Sequence, residues 1–316
     1  METVMIFPWG NRKRYNDFST HLIKEFNGKV QKISVNAGFT CPNRDGAKGV
    51  GGCTFCNNDS FKPDYCKAGV SITEQLKRGI EIFRRRHPEA EYLAYFQSYT
   101  NTYGHTEALK KLYEEALSCS GVRGLIIGTR PDCFSDDLLN YLEKLSQKTY
   151  LVIELGIEST SNSTLENINR GHNFECTCQT IAKLAERGIL TGAHLILGLP
   201  GETRQQMLAH AKILSSLPIK FLKMHQLQYL KGSVIGNQYM KNPKRFHVFE
   251  LDEYIELVVD FIERTSPKII FERFASQSPY ELLLAPGWKI KNFEFVHKID
   301  KRLEERNTWQ GKLWED

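Results

Sequence analysis

Apolar positions along this chain fall into two alternating rhythms. Short apolar runs occur at Lys29–Val35, Tyr92–Phe96, Gly124–Gly128, Tyr150–Leu155, Leu190–Leu197 and Phe221–Leu227, and each reads as a strand. Between them lie stretches with apolar residues at helical spacing. Leu76, Ile80 and Phe83 follow a cap expected at Thr73, and Ala108, Leu109, Leu112 and Ala116 lie within Thr106–Leu117. Leu138, Leu139, Leu142 and Leu145 follow a cap at Ser135, and further helices are predicted over Thr164–Asn169, Cys176–Arg187 and Thr203–Leu217. Six strand-then-helix units, about 30–40 residues apart, imply an α/β fold with a parallel sheet. The strand cores are nearly continuous apolar runs, as strands covered on both faces require.

The rhythm breaks near Tyr229. A Gly/Asn/Lys loop over Lys231–Arg245 precedes an apolar helix at Leu251–Arg264, an extra strand at Ile269–Phe271 and a charged helix around Lys298–Arg306. Polar or glycine-rich clusters follow the strands, and in a parallel sheet these gather at the carboxyl edge, where ligand sites form. The loop after the first strand, the cluster at Gln97 and Ser98, Thr129–Asp132, Glu158 and Ser159, and His194 should therefore face one cavity.

Composition narrows this picture only a little. The chain has 316 residues, 41% hydrophobic and 25% charged, with a net charge of +5, as in ordinary globular proteins. No stretch approaches the roughly 18 apolar residues of a membrane span, and the first residues carry no apolar run of signal-peptide length. The expectation is a cytoplasmic protein with no membrane partner, in which cysteine clusters usually mean metal rather than disulfides. Basic clusters at Asn11–Arg14, Arg84–His87 and Lys241–Arg245 are compatible with a polyanionic partner and equally with solvated faces.

The chemistry concentrates between Asn36 and Asn58. Cys41, Cys53 and Cys56 stand in the pattern C-x11-C-x2-C, with Phe55 before the last and four glycines in the interval. A C-x2-C pair brings two thiolates onto one ion or cluster, and a third from a glycine-rich loop can close over it. Three thiolates on a four-iron cluster leave one iron open to a substrate or cofactor. A zinc site that adds Cys66 as fourth ligand is the rival reading, in a non-enzymatic zinc- or nucleic-acid-binding protein. His194 in an apolar strand fits a core histidine as well as a ligand, and Glu158 with Arg170 fits a salt bridge.

A cysteine triad after the first strand of a βα repeat, with an aromatic residue before the last cysteine, resembles the radical S-adenosyl-L-methionine (SAM) superfamily. There the usual first gap is three residues; the enlarged gap here is similar to that of the Elongator catalytic subunit. ELGIEST at 154–160, NRGH at 169–172, HLILGLPGET at 194–203, YFQSYTNTY at 95–103, TRPDCF and APGWK together resemble the bacterial YhcC/YtqA family. The resemblance implies a partial (β/α)6 TIM-like barrel. It also implies an organisation into an N-terminal arm (1–28), a radical SAM core (29–229) and a C-terminal extension (230–316). It makes Cys41, Cys53 and Cys56 ligands of a 4Fe-4S cluster, with SAM on the open iron. Phe55 would lie near the adenine, with Leu227 or Gln228 as a further adenine contact. Gln97 and Ser98 replace the Gly-Gly-Glu turn of many relatives, Glu158 and Ser159 would reach the ribose or methionine end, Arg170 the SAM carboxylate, and His194 a SAM-contacting position. The implied reaction is reductive cleavage of SAM to a 5′-deoxyadenosyl radical, fed by a low-potential donor such as flavodoxin or ferredoxin. The implied substrate is the C5 substituent of a tRNA wobble uridine, with a small molecule or peptide as the alternative.

Overall fold

The structure is a computed structural model that describes residues 6–315 apart from Phe61, Ala68 and Arg86. Its strands are β1 (Val30–Val35), β2 (Glu91–Phe96), β3 (Val122–Thr129), β4 (Tyr150–Glu158), β5 (Leu190–Leu197), β6 (Phe221–Gln226), β7 (Tyr229–Leu230), β8 (Ile270–Arg273) and β9 (Leu283–Ala285). Its helices are α1 (Phe18–Phe26), α2 (Ile72–Arg84), α3 (Thr106–Ser118), α4 (Asp136–Ser146), α5 (Asn162–Asn167), α6 (Phe174–Glu186), α7 (Arg204–Ser215), α8 (Val234–Lys241), α9 (Leu251–Glu263) and α10 (Asn292–Glu305).

One sheet, ordered β1-β2-β3-β4-β5-β6-β8, carries the fold, and every pairing in it is parallel. This is the parallel partial barrel the strand rhythm and the resemblance imply, with one difference. It has seven strands rather than six, because the extra strand read near Ile269 adds to β6. A separate antiparallel pair, β7 with β9, lies beside it.

Alternation along the strands sorts side chains to two faces. Ile33, Ala94, Phe96, Leu125, Ile127, Leu151, Ile153, Ala193, Leu195 and Leu222 pack in one large core with the helices, all of them almost wholly buried. The opposite face points into the barrel. There Leu93, Tyr95, Ile126, Val152, Phe221 and Ile270 form a second cluster with Phe18 and Leu22 of α1. Helix α1 thus plugs the lower end, with Phe18 edge-on to Phe221 at 5.1 Å between ring centroids. Asp17 caps this helix by accepting from the Thr20 amide at 3.1 Å, an interaction of about 1 kcal/mol.

The two ends of the chain meet beside the plug. Arg14 Nη1 donates to the Thr308 carbonyl at 3.0 Å, and the Asn16 amide donates to Gln310 Oε1 at 2.8 Å. Part of the basic cluster at Asn11–Arg14 is therefore structural. In the cluster at Arg84–His87, Arg85 pairs with Glu81 at 3.4 Å, while Arg86 lies outside the described residues.

Helix starts follow local chemistry, with one correction. Ser135 caps α4 as expected, and Thr203, read as the first residue of its helix, caps α7 in a reciprocal box with Gln206. Helix α2 is capped by Ser71, whose hydroxyl accepts from the Glu74 amide at 3.2 Å. The Thr73 amide instead donates to Glu115 of α3 at 2.8 Å. A neighbouring helix supplied the partner that decided between two hydroxyl residues.

Close packing of β3 on β4 depends on Gly124. A Cβ there would lie 2.2 Å from the Tyr150 carbonyl oxygen and 2.8 Å from its Cβ. Gly124→Ala is expected to destabilise the fold by about 1–3 kcal/mol, read from the urea midpoint at unchanged slope. An unchanged midpoint would mean that these strands do not approach so closely.

Candidate active site

The upper end of the barrel opens into a cavity of about 230 Å³. Cys41, Cys53, Phe55, Cys56, Gln97, Glu158, Arg170, His194 and Leu227 all line it. Ser98 and Ser159 do not. Ser98 is buried behind the wall. The Ser159 hydroxyl donates to Glu202 at 2.6 Å and accepts from the Ser161 amide at 3.0 Å, in a buried group with His210. The turn after β4 explains the miss. The β4–β5 register slips between Gly156 and Glu158, and Glu158 adopts a left-handed backbone with φ 68°. That conformation is costly for a residue with a Cβ and recurs at functional sites. It brings the Glu158 carboxylate to the cavity and turns Ser159 away.

The cysteine loop is pinned from across the barrel. Asn43 Nδ2 donates to the Asn169 carbonyl at 2.5 Å and lies 3.7 Å from Cys53 Sγ. Asn169 in turn donates to the Gly52 carbonyl at 2.8 Å, and the Thr54 amide to the Ile168 carbonyl at 2.9 Å. The fit around Asn43 needs glycine at position 171, where φ is +75° and a Cβ would lie 2.8 Å from Asn43 Oδ1. That oxygen has no hydrogen-bond partner.

Arg170 is the other pin. Its Nη1 lies 3.4 Å from Cys53 Sγ, its Nη2 donates to the Gly156 carbonyl at 2.5 Å, and Glu158 is 3.8 Å away. Its Nε is buried and unpartnered. The expected Glu158–Arg170 salt bridge is thus present, and the arginine also faces a cysteine sulfur.

Cys66 stands apart. Its thiol donates to the Ser34 carbonyl at 2.9 Å, burial pushes it up to about 12, and it does not line the cavity with the other three. Among the described residues no three His, Cys, Asp or Glu side chains converge as a single-ion site requires.

Below the cysteines lies a layer of charge that sequence reading did not find. Glu154, 2% exposed, accepts from Tyr95 at 2.8 Å, from Lys223 at 3.2 Å and from Lys32 at 3.1 Å, and shares a 2.6 Å bond with His194. Glu272 pairs with Lys32 at 2.6 Å and Lys223 at 3.1 Å. Burial by itself would raise the Glu154 carboxyl, but Lys223, Lys32 and His194 outweigh it and hold it well below its usual range. His225 is pushed well down by burial, then by His194 and Arg273, so it is neutral. Only His194 carried a sequence signal. Tyr95, Lys223 and His225 sit in strands whose alternation could have marked them as inward polar positions.

The sequence model of the Radical SAM superfamily matches residues 38–214, and that of the Radical SAM C-terminal domain matches residues 219–305. The chain belongs to the radical SAM superfamily. Within it, the chain belongs with the family of YtqA and YhcC. YtqA of Bacillus subtilis is 38% identical over 313 residues, covering 98% of this chain and 96% of YtqA. The tRNA uridine(34) acetyltransferase of Methanocaldococcus jannaschii is 35% identical over 178 residues, 55% of this chain and 32% of the relative. The archaeal Methanocaldococcus infernus Elp3 structure superposes with a TM-score of 0.67 at 17% identity. That match covers 89% of this chain and 64% of the Elp3 chain.

The protein is a radical SAM enzyme, and membership implies a 4Fe-4S cluster and SAM. The donor set fits. Three thiols are set around one cavity with an arginine beside one of them, and a cluster takes its thiolates from around its surface rather than from one point. Among the described residues no helix is long and apolar enough to cross a membrane.

Glu154→Gln is expected to cost about 3–5 kcal/mol at neutral pH, because it removes one of the two carboxylates that balance the buried ammonium groups of Lys32 and Lys223. Since the folded carboxyl lies below its unfolded value, its contribution is present above about pH 4.3 and fades as pH falls towards the folded value. Urea unfolding of both proteins should show their gap narrowing in acid; a gap that does not change with pH would contradict the assignment.

Proposed function

We propose that Cys41, Cys53 and Cys56 hold the 4Fe-4S cluster and that Phe55, Glu158, Arg170 and Leu227 shape the SAM site. We further propose that the substrate is the C5 substituent of a tRNA wobble uridine. The observation that carries the first part is the convergence of the three cysteines, and not Cys66, on the cavity lined by Glu158 and Arg170. When bound, cluster and SAM together supply a 5′-deoxyadenosyl radical by reductive cleavage, with the electron delivered by a low-potential protein such as flavodoxin or ferredoxin.

The side chains divide the remaining work. Phe55 packs with Ile196, Leu227 and Tyr229 in one apolar cluster, a wall suited to an adenine face. The Glu158 carboxylate is positioned to accept from a ribose hydroxyl or an ammonium. Both terminal nitrogens of Arg170 already have partners in Cys53 and Gly156. Its role is therefore to set the cysteine loop and Glu158, leaving its unpartnered Nε for a ligand oxygen. His194, fixed by Glu154, and Gln97, which accepts from Ser34 at 3.1 Å, are held groups on the same cavity.

Two observations support tRNA. One is the sequence similarity to a tRNA uridine(34) acetyltransferase. The other is the exposed run Lys241, Lys244 and Arg245. It starts at the last residue of α8, a helix tied to the cysteine loop by the Ile235 amide on the Thr54 carbonyl at 2.9 Å. An exposed cationic run joined through α8 to the cysteine loop suits a phosphate backbone.

Anaerobic reconstitution with iron and sulfide, then reduction with dithionite in the presence of SAM, tests the first part. Wild type and Cys66→Ala should bind iron and release 5′-deoxyadenosine. Cys41→Ala, Cys53→Ala and Cys56→Ala should lose both. Dependence on Cys66 together with bound zinc would overturn the reading. For the second part, replacing Lys241, Lys244 and Arg245 with alanine should weaken tRNA binding and lower its log-log salt slope by about one for each phosphate no longer neutralised. An unchanged slope would remove that surface from the tRNA path.

A further inference from the structure

The charged layer inside the barrel leaves one cation over. Lys32 and Lys223 both pair with Glu154 and with Glu272, so two ammonium groups face two carboxylates. Arg273 stands beside this set, lines the same cavity and makes no ion pair or side-chain hydrogen bond among the described residues. Two other arginines of the cavity have an anion: Arg130 grips Asp132 at 2.8 and 2.9 Å, and Arg170 faces Glu158. Arg44 donates to the Cys56 carbonyl at 3.0 Å. The neutral His225 next to Arg273 cannot balance it.

The local backbone explains why Arg273 points inward. Leu222 pairs with Phe271 and Lys223 with Arg273, so Glu272 is an extra residue in β8. A bulge of this kind places consecutive side chains on one side of a sheet and is a common means of aiming a residue into a site. Glu272 takes the lysines, and Arg273 is left facing the space above them. A buried or half-buried cation without a partner is unfavourable unless a ligand supplies the anion. A guanidinium fork matches phosphate and carboxylate equally.

We propose that Arg273 binds an anionic group of the substrate, a phosphate or a carboxylate, on the floor of the barrel. The inference rests on the reading that this cavity admits substrate between the charged layer and the cluster site. It goes beyond that reading by requiring negative charge on the part of the substrate that enters.

The test uses the reconstituted protein with SAM and titrates sodium phosphate and sodium acetate separately, read by calorimetry, in wild type, Arg273→Gln and Arg273→Lys. One anion should bind wild type saturably. Its affinity should fall about ten- to a hundredfold in the glutamine variant, since a hydrogen bond to a charged group is worth about 1.5–3 kcal/mol. The lysine variant should fall between. Phosphate as the bound anion points to the nucleic-acid backbone, and acetate to a carboxylate on the reacting group. Affinity for SAM should be unchanged, and the thermal midpoint unchanged or raised, because the substitution strands no partner. Equal anion binding by wild type and Arg273→Gln would overturn the proposal, and so would an equal loss of SAM binding, which would make Arg273 a cofactor ligand. Failure of wild type to release 5′-deoxyadenosine would instead defeat the enzyme reading, and it is distinguishable because it does not depend on Arg273.

Discussion

The Glu154 carboxylate is the point on which this molecule turns. Seven parallel strands do not close, so β1 and β8 are the outer strands of one curled sheet, with Phe271 of β8 also bridged to Asp17. Lys32 of β1 reaches both Glu154 in the middle of the sheet and Glu272 on the far edge, and so spans the seam from inside. A buried carboxylate is costly unless cations and donors surround it, and four elements must be in register to provide them. The cluster therefore specifies one curvature of the sheet more than it adds net stability. Beneath it α1 seals the barrel with Phe18 and Leu22; above it the space stays polar and open.

That open end is built from strand ends that could not form it alone. The cysteine loop is long and glycine-rich, and its shape is set where its own Asn43 and Cys53 meet Asn169 and Arg170, residues that reach it only because β1 and β4 belong to the same barrel. Strain is accepted at Glu158, where a left-handed residue aims its carboxylate inward. The buried, unpartnered Arg170 Nε is what a ligand-shaped space leaves when a polar group faces it.

The C-terminal stretch contributes to each level of this design. Glu272 completes the charge layer, Arg273 gives the floor its surplus cation, and α8 in the segment after β6 is tied to the cysteine loop through the Ile235 amide and the Thr54 carbonyl. What lies past the sixth strand is thus part of the barrel's interior as well as its cover.

The strand-and-helix rhythm, the parallel sheet and the cysteine loop were legible in the sequence, because each is written in local spacing. Period-two apolar runs mark strands, helical stripes mark their covers, and a C-x2-C pair in a glycine-rich loop marks a place where thiolates meet. The loops at the carboxyl edge were legible as a group for the same topological reason. Tertiary structure alone decided which side chains in them reach the cavity. A register slip after Gly156 sent Glu158 inward and Ser159 to Glu202, and a one-residue bulge at Glu272 turned Arg273 into the barrel. The charge layer was invisible for a related reason: Lys32 and Glu154 lie 122 residues apart, and a charged residue inside a strand reads as solvent-facing until its partners are known. Periodicity is a property of neighbours along the chain, whereas the pairing of buried charges and the aim of a bulged strand are properties of neighbours across the sheet.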